Sequence, residues 1–325
     1  MSTSSPFSLL SSIWGWLHGT SSIPPSVLPS KRVVLIDGNN ILHHKYDPAC
    51  TKSASYVHLC LIITVFISFS LDRVKKTVRI GATLGFLDEI EKALDTFEPH
   101  RIGVVFDPPR QVTPRKRTSK QHKHQGGALR PQFSITATAL QRLGIAVVQV
   151  PTVRADDLIA SYTKASVADD FDVVIVSNDT DFYQLLSPHV VVFNPSRGHC
   201  LRDTDEIFGL PTPTLQLDLM TLVGSKWGKA PGLPGGLGRD EAVALLVKSN
   251  GLLQLLDRLE EFVSDDPLRD RLAAAATMLR ETYLASKLDD SLLLPLPLDD
   301  FSLRHIKPRG LSNMVKHPKL LFKKN

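Results

Sequence analysis

The sequence predicts an α/β protein, a parallel sheet crossed by helices and followed by a helical part, and three observations carry that expectation. Arg-Val-Val-Leu-Ile-Asp at 32–37, Ile-Gly-Val-Val-Phe-Asp at 102–107 and Val-Val-Ile-Val-Ser-Asn-Asp at 173–179 are apolar and rich in β-branched residues. Runs of this kind read as strands buried on both faces, which belong to parallel sheets. Segments of helical spacing lie between them, and from Thr212 onward the β-rich runs give way to leucine-rich helical sequence. Each run also stops at an aspartate: Asp37, Asp107 and Asp179. Ligands in open α/β sheets bind outside the carboxyl ends of the strands, so these acids are expected to share one crevice.

Taken in order, residues 1–30 are rich in serine and proline and hold no acid, lysine or arginine, the composition of a disordered or targeting leader. A mitochondrion or another organelle is the expected compartment, otherwise nucleus or cytoplasm, although the lack of arginine argues against a mitochondrial presequence. The first strand ends at Asp37. Residues 56–71 are apolar all round and are followed by Arg73, Lys75 and Lys76. Crossing a bilayer takes roughly 20 apolar residues, so this segment is short for a span, and a span between two strands would separate them. A buried helix, an extra strand or a translated intron is expected instead, and no membrane partner.

Leu84, Leu87, Ile90, Leu94 and Phe97 recur at helical spacing, which predicts a helix over 83–97 before the second strand. Between Asp107 and Asp156 there is no acidic residue, while Arg110, Arg115, Lys116, Arg117, Lys120, Lys123 and Arg130 crowd one block. Such a block is a phosphate-contacting surface or a solvated basic loop. A helix over 132–143, a strand within 145–153, and a helix from Asp156 complete the alternation, with Asp156 and Asp157 suited to a helix N-terminus. Asp181 follows Asp179 by two residues. The glycine-proline stretch 223–238 then opens a helix over 239–247, an arrangement that exposes amide groups to a phosphate. Length, apolar content of 42% and charged content of 22% are those of a globular chain, and a net charge of +5 favours a polyanionic partner. Cys50, Cys60 and Cys200 show neither a paired spacing nor histidines at zinc distance, so neither a zinc site nor a disulfide framework is expected.

A single aspartate at a strand end is usually a helix cap. Six acids at one edge, Asp37, Asp107, Asp156, Asp157, Asp179 and Asp181, repel one another unless hard cations sit among them. Oxygen ligands in such number suit Mg²⁺ or Mn²⁺, and paired ions of that kind stabilise both oxygens of a phosphoryl displacement.

In chain order, Asp-Gly-Asn-Asn at 37–40, Val-Val-Phe-Asp at 104–107, Arg-Ala-Asp-Asp at 154–157, Ser-Asn-Asp-Thr-Asp-Phe-Tyr-Gln-Leu at 177–185 and Pro-Gly-Leu-Pro-Gly-Gly-Leu-Gly at 231–238 resemble the 5′-3′ exonucleases related to flap endonucleases and to the N-terminal domain of bacterial DNA polymerase I. The resemblance runs over about 31–295, and 268–294 fits the family's final helices loosely. It implies a PIN-like 5′-nuclease domain over 31–210 with a basic arch at 108–131, a helix-three-turn-helix DNA-binding subdomain over 211–300, and leaves a basic tail at 301–325. It also implies one or two Mg²⁺ or Mn²⁺ ions, DNA with 5′ ends or flaps as partner, and a monomer. By the same carry-over, Asp37, Asp107, Asp156 and Asp157 match carboxylates near a first metal, and Asp179 and Asp181 part of a second. Arg115 and Lys123 match the arch residues that clamp the scissile phosphate, with Arg117, Lys120, Gly232, Gly235, Gly238 and Arg239 on the DNA path.

The departures concern charge. Arg154 stands where the family motif has glutamate, and Gly-Ser-Lys-Trp-Gly-Lys at 224–229 where it has Gly-Asp-Ser-Ser-Asp-Asn, so three acids are missing. Gly126 replaces an arch arginine, His44 a first-motif arginine and Asp240 a duplex-binding lysine. Two functions follow: a divalent-metal-dependent 5′-3′ exonuclease or 5′-flap endonuclease of DNA replication or repair with weakened activity, or a catalytically silent DNA-binding module in which Arg154 or a lysine replaces the lost cation.

Overall fold

A computed structural model describes residues 31–47, 53–55, 77–108, 126–202, 209–225 and 230–303. The strands are β1 (Arg32–Asp37), β2 (Ser53–Ser55), β3 (Thr77–Arg79), β4 (Arg101–Phe106), β5 (Ala146–Gln149), β6 (Asp172–Val176), β7 (Val190–Asn194) and β8 (His199–Leu201). The helices are α1 (Gly38–His44), α2 (Gly81–Phe97), α3 (Gly126–Arg142), α4 (Ala155–Ala168), α5 (Leu215–Val223), α6 (Arg239–Ser249), α7 (Leu252–Asp257), α8 (Leu259–Phe262) and α9 (Asp266–Ser286).

Six strands form one sheet in the order β5-β4-β1-β6-β7-β8, parallel except for β8. In register, Val33 sits between Arg101 and Val173, and Ile36 between Val104 and Val176. Alternation sorts the side chains: Val34, Ile36, Val104, Val174 and Val176 face α1, α2 and α3, whereas Val33, Leu35, Val105, Val173 and Ile175 face α4. Both faces are covered, which is why the runs are continuously apolar. The chain builds outward from β1 through β4 to β5, and α4 then returns it to β6 on the other side of β1. The order reverses at β1 and β6, so the crevice at their carboxyl ends is the expected ligand position.

Several elements differ from expectation. The run 189–194 forms β7 although it ends in an asparagine. Helix α3 begins at Gly126, inside the stretch assigned to the basic arch. Strands β2 and β3 pair antiparallel as a separate two-stranded sheet, with Ser55 opposite Thr77. The apolar insert 56–71 lies outside the described residues, as do residues 1–30 and 304–325. No helix among the described residues is long and apolar enough to cross a membrane.

Helices α5 to α9 surround a core of their own, with Leu222, Leu246, Leu252, Leu255, Leu272 and Leu279 fully buried. The final helix does not reach 294: α9 stops at Ser286, and residues 287–303 return as a strap across the sheet. Gln184 Oε1 accepts from Leu288 N–H at 3.1 Å, and the Tyr162 hydroxyl donates to Leu296 O at 2.9 Å while accepting from Leu296 N–H at 3.2 Å. The strap ends with Phe301 packed 4.8 Å from the Tyr162 ring, between centroids, and directly over Gly103. A Cβ at Gly103 would run into the Phe301 ring, which is why a glycine interrupts the apolar strand β4.

Gly103→Ala is therefore expected to destabilise the protein by about 1–3 kcal/mol through overpacking, and Phe301→Ala by about 3–5 kcal/mol through the cavity it leaves. In a denaturant-melt double-mutant cycle, adding Gly103→Ala to Phe301→Ala should cost at least about 1 kcal/mol less than adding it to the wild type. Additive costs would show that Phe301 does not bear on Gly103.

Candidate functional site

Asp37 closes β1 and is 4% exposed. Its Oδ1 accepts from Asn40 N–H at 3.0 Å, capping α1, and its Oδ2 accepts from the Ser177 hydroxyl at 2.8 Å, tying β1 to the end of β6. The two asparagines that follow bind the neighbouring strand ends. Asn39 Oδ1 accepts from Asp107 N–H at 3.0 Å, and Asn40 Oδ1 accepts from both Asn178 N–H and Asn178 Nδ2, at 3.0 and 2.8 Å. Asn178 passes the chain on to Ser196, whose hydroxyl lies 3.2 Å from His44 Nε2. These asparagines, Ser177 and Asn178 were not singled out as site residues; their signal is an amide-rich turn directly after a buried strand.

Each acid at a strand end also has a structural duty. Asp107 Oδ1 accepts from Ala155 N–H, the first amide of α4, at 3.0 Å. Asp179 Oδ1 accepts from Asp181 N–H at 3.1 Å and so caps the 3₁₀ turn Thr180–Leu185. Asp156 and Asp157 lie in the first turn of α4, where the helix dipole favours negative charge. Arg154 precedes them, its guanidinium paired with Asp156 and its Nη1 3.8 Å from Asp157 Oδ1. Asp157 Oδ1 accepts in addition from Asp289 N–H of the strap at 3.1 Å. Asp37 and Asp179 thus cap the helix and the turn that follow them, whereas Asp107 binds the first amide of α4, a helix that starts almost fifty residues later.

The acids feel one another. Burial first, then the Asp156 and Asp179 charges, push the Asp37 carboxyl up to about 8 against opposing hydrogen bonds from Asn40 and Ser177. Burial also raises Asp156, to about 6; Arg154 pulls it down while Asp179 and Asp107 push it up. Burial works against the Arg154 charge, and Asp156, Asp157 and Asp181 more than offset that, holding it above the ordinary arginine value. Burial first, and mutual repulsion after it, thus disfavour the fully ionised cluster, a deficit of positive charge that the one guanidinium beside it does not make good.

An all-oxygen donor set with that deficit fits one hard cation, Mg²⁺ or Mn²⁺. Arg154, however, is bound to Asp156, and among the described residues no three histidine, cysteine, aspartate or glutamate side chains are grouped as metal ligands. A second ion has fewer acids to hold it: Ser225 stands where the family motif has an aspartate, brings no carboxylate, and its hydroxyl accepts from Ala230 N–H at 3.1 Å. Lys226, Gly228 and Lys229 lie outside the described residues, as do Arg115, Arg117, Lys120 and Lys123 of the arch.

In the helical part, Gly232 is buried with a φ of +74°, and a Cβ there would lie 2.6 Å from Val223 O, which accounts for glycine without a ligand. Gly235 and Gly238 are exposed before α6, and Arg271 of α9 fixes this loop by donating to Pro234 O, at 3.0 Å from Nη2, and to Gly236 O. Arg239 opens α6, followed by the exposed Asp240 and Glu241, whose charges oppose an anion at that N-terminus.

Residues 32–209 match the model of the 5′-3′ exonuclease N-terminal resolvase-like domain. The chain belongs to this family. It is similar to DNA polymerase I of Rhizobium leguminosarum, 30% identical over 233 residues that cover 68% of this chain and 22% of that protein. It is also similar to a 5′-3′ exonuclease of Aquifex aeolicus, 28% identical over 229 residues, 69% of this chain and 77% of that protein. The chain spans under a third of the DNA polymerase I relatives it matches, 22% and 29% of two of them. Among solved structures, a zinc-bound 5′-exonuclease of T5 aligns with a TM-score of 0.56 and 16% identity, covering 80% of this chain and 90% of that one. A bacteriophage T5 flap endonuclease complexed with DNA and metal ions aligns with a TM-score of 0.58 and 14% identity, covering 90% and 95%. The sheet is accordingly the PIN-like α/β fold of the 5′-nucleases.

Because the Asp37 carboxyl is raised above its unfolded value of 3.8, its protonation contributes stability that is full below pH 3.8 and is lost as pH rises through about 8. In EDTA, melting temperature is expected to fall between about pH 5 and 8, and Asp37→Asn, which keeps the cap, should flatten the fall and raise the midpoint at pH 8 by a few degrees, the shift about 1–2 kcal/mol produces. Parallel pH profiles for the two proteins would show that Asp37 is not the group that holds the proton.

Proposed function

We propose that this protein is a divalent-metal-dependent 5′-3′ exonuclease or 5′-flap endonuclease acting on DNA in replication or repair, with activity weakened by its charge changes. The observation that supports this best is that Asp37, Asp107 and Asp179 at or beyond the strand ends and Asp156 in the first turn of α4 act electrostatically on one another in a sheet whose sequence matches the 5′-3′ exonuclease family. A bound Mg²⁺ or Mn²⁺ supplies Lewis acidity toward the phosphate and lowers the pKa of an attacking water. Asp37, Asp107, Asp156 and Asp179 would hold that ion, with Asp157 and Asp181 adjacent. Arg115 and Lys123 clamp the scissile phosphate by charge-assisted hydrogen bonds and offset the charge that develops on it. Arg117 and Lys120 guide the strand, while the backbone at Gly235 and Gly238, with Arg239, meets duplex phosphates; Gly232 keeps that loop close to α5.

One observation favours a second reading, a catalytically silent DNA-binding module: the Arg154 guanidinium already neutralises Asp156. A 5′-labelled flap substrate incubated with Mg²⁺ or Mn²⁺ separates the two. Cleavage slower than about 10 s⁻¹, a typical enzyme value, is expected from the wild type and none from Asp179→Ala. Binding of the flap without cleavage in either ion would establish the silent module, and cleavage that survives Asp179→Ala would remove these acids from the chemistry.

The arch should dominate sequence-independent affinity. Neutralising Lys116, Arg117, Lys120 and Lys123 is expected to make the slope of log K against log salt shallower by roughly 0.9 per lost contact on duplex, or about 0.7 on single strands. An unchanged slope would mean that the block is only solvated.

A further inference from the structure

We infer that Arg154 is the built-in cation of the carboxylate crevice, and that its charge weakens the binding of a divalent ion at Asp156. Arg154 occupies the cap position of α4 in extended backbone conformation, yet its side chain does not cap the helix. It folds over the first turn instead, pairs with Asp156 and approaches Asp157 to 3.8 Å. The three side chains are roughly one-third to one-sixth exposed, Arg154 at 32%, Asp156 at 23% and Asp157 at 17%, so the pair is only partly screened by water.

The guanidinium cannot shed its charge in the working pH range, and its planar fork matches carboxylate geometry. The guanidinium holds Asp156 Oδ2 and leaves Oδ1 to an ion, which if it is Mg²⁺ needs an oxygen at about 2.0–2.1 Å. An ion at Asp156 then binds against the repulsion of the arginine charge on the same carboxylate. The metal affinity of this protein is lowered by Arg154, and the position that could have brought another acid brings the competing charge.

This inference rests on the proposed function only in taking the crevice as the ion site, and its test involves no DNA. Mn²⁺ binding to the full chain is measured by calorimetry or by the loss of the free-ion paramagnetic resonance signal, for wild type, Arg154→Gln and Arg154→Lys. Removing one partner of a partly buried pair frees the other for the ion, so Arg154→Gln is expected to bind Mn²⁺ about tenfold more tightly. Arg154→Lys keeps a charge but cannot bridge two carboxylates, and should fall between the two. Melting in EDTA gives an independent readout: the Gln variant should start lower than wild type and gain more from saturating Mn²⁺. If the Gln variant does not fold, the Lys variant alone decides, by binding more tightly than wild type. Equal or weaker Mn²⁺ affinity in the folded variants overturns the inference, whatever the flap assay shows. Tighter Mn²⁺ binding with no flap cleavage by any of the proteins would leave Arg154 as the built-in cation and remove the nuclease reading.

Discussion

Burying the Asp37 carboxylate at the centre of the sheet is the demand around which the described structure is organised. A buried acid without hydrogen-bond partners costs several kcal/mol, and here the partners come from both sides of β1. Ser177 reaches it from the end of β6, and the amide of Asn40 from the turn into α1. Meeting that demand brings the ends of β1 and β6 together, and Asn39 and Asn40 then bind the first residues beyond β4 and β6. The amide ring and the acid cluster are consequently one construction: the hydrogen bonds that make the buried carboxylate tolerable also aim Asp107 and Asp179 at the same crevice.

The helical part is attached to this construction through the turn that carries Asp179 and Asp181. Gln216 of α5 donates to Thr180 O at 3.2 Å, and Gln184 at the other end of the turn donates to Asp181 O at 2.7 Å while receiving the strap at Leu288. Asp218 of α5 caps α7 by accepting from Leu252 N–H at 3.0 Å, and Arg271 of α9 fixes the glycine loop. The glycine loop, α5 and the turn that carries Asp179 and Asp181 are thereby joined by a continuous series of hydrogen bonds and packed groups, each separately mutable.

The sequence was legible where a physical rule has one outcome. Continuous apolar runs matched β1, β4 and β6, helical spacing matched α2, and the paired acids at 156–157 and the glycine-proline stretch marked the starts of α4 and α6. Strand β7 was not legible by the same rule, because its run ends at Asn194 rather than at an acid. The strap was missed although Leu292, Leu294 and Leu296 recur at every second residue, because Pro295 and Pro297 speak against a paired strand; only the packing of these leucines on α4 and its neighbours gives them a place. The interruption of β4 at Gly103 has no local meaning either, since its cause, Phe301, lies almost two hundred residues away. At the site the acids were legible and their partners were not, because capping and metal binding use the same residue types at the same positions.

That overlap bears on how the charge changes should be weighed. Asp37, Asp107, Asp157 and Asp179 each accept a backbone or hydroxyl hydrogen bond that holds two elements together or caps a turn. Replacing one of them by a side chain that accepts no hydrogen bond would leave a donor unpaired at a cost of about 1–3 kcal/mol, so an acceptor at these positions serves the fold whether or not an ion binds. The three missing acids fall at Arg154, Ser225 and Gly228. Arg154 makes no side-chain cap, and Ser225 meets its backbone duty with a hydroxyl. Substitution at those two described positions can alter the crevice charge without opening the fold. The acids that remain therefore say little about turnover, and the position that says most is Arg154, where a change of charge sign has been accommodated by an ion pair with the acid it would otherwise have helped to load.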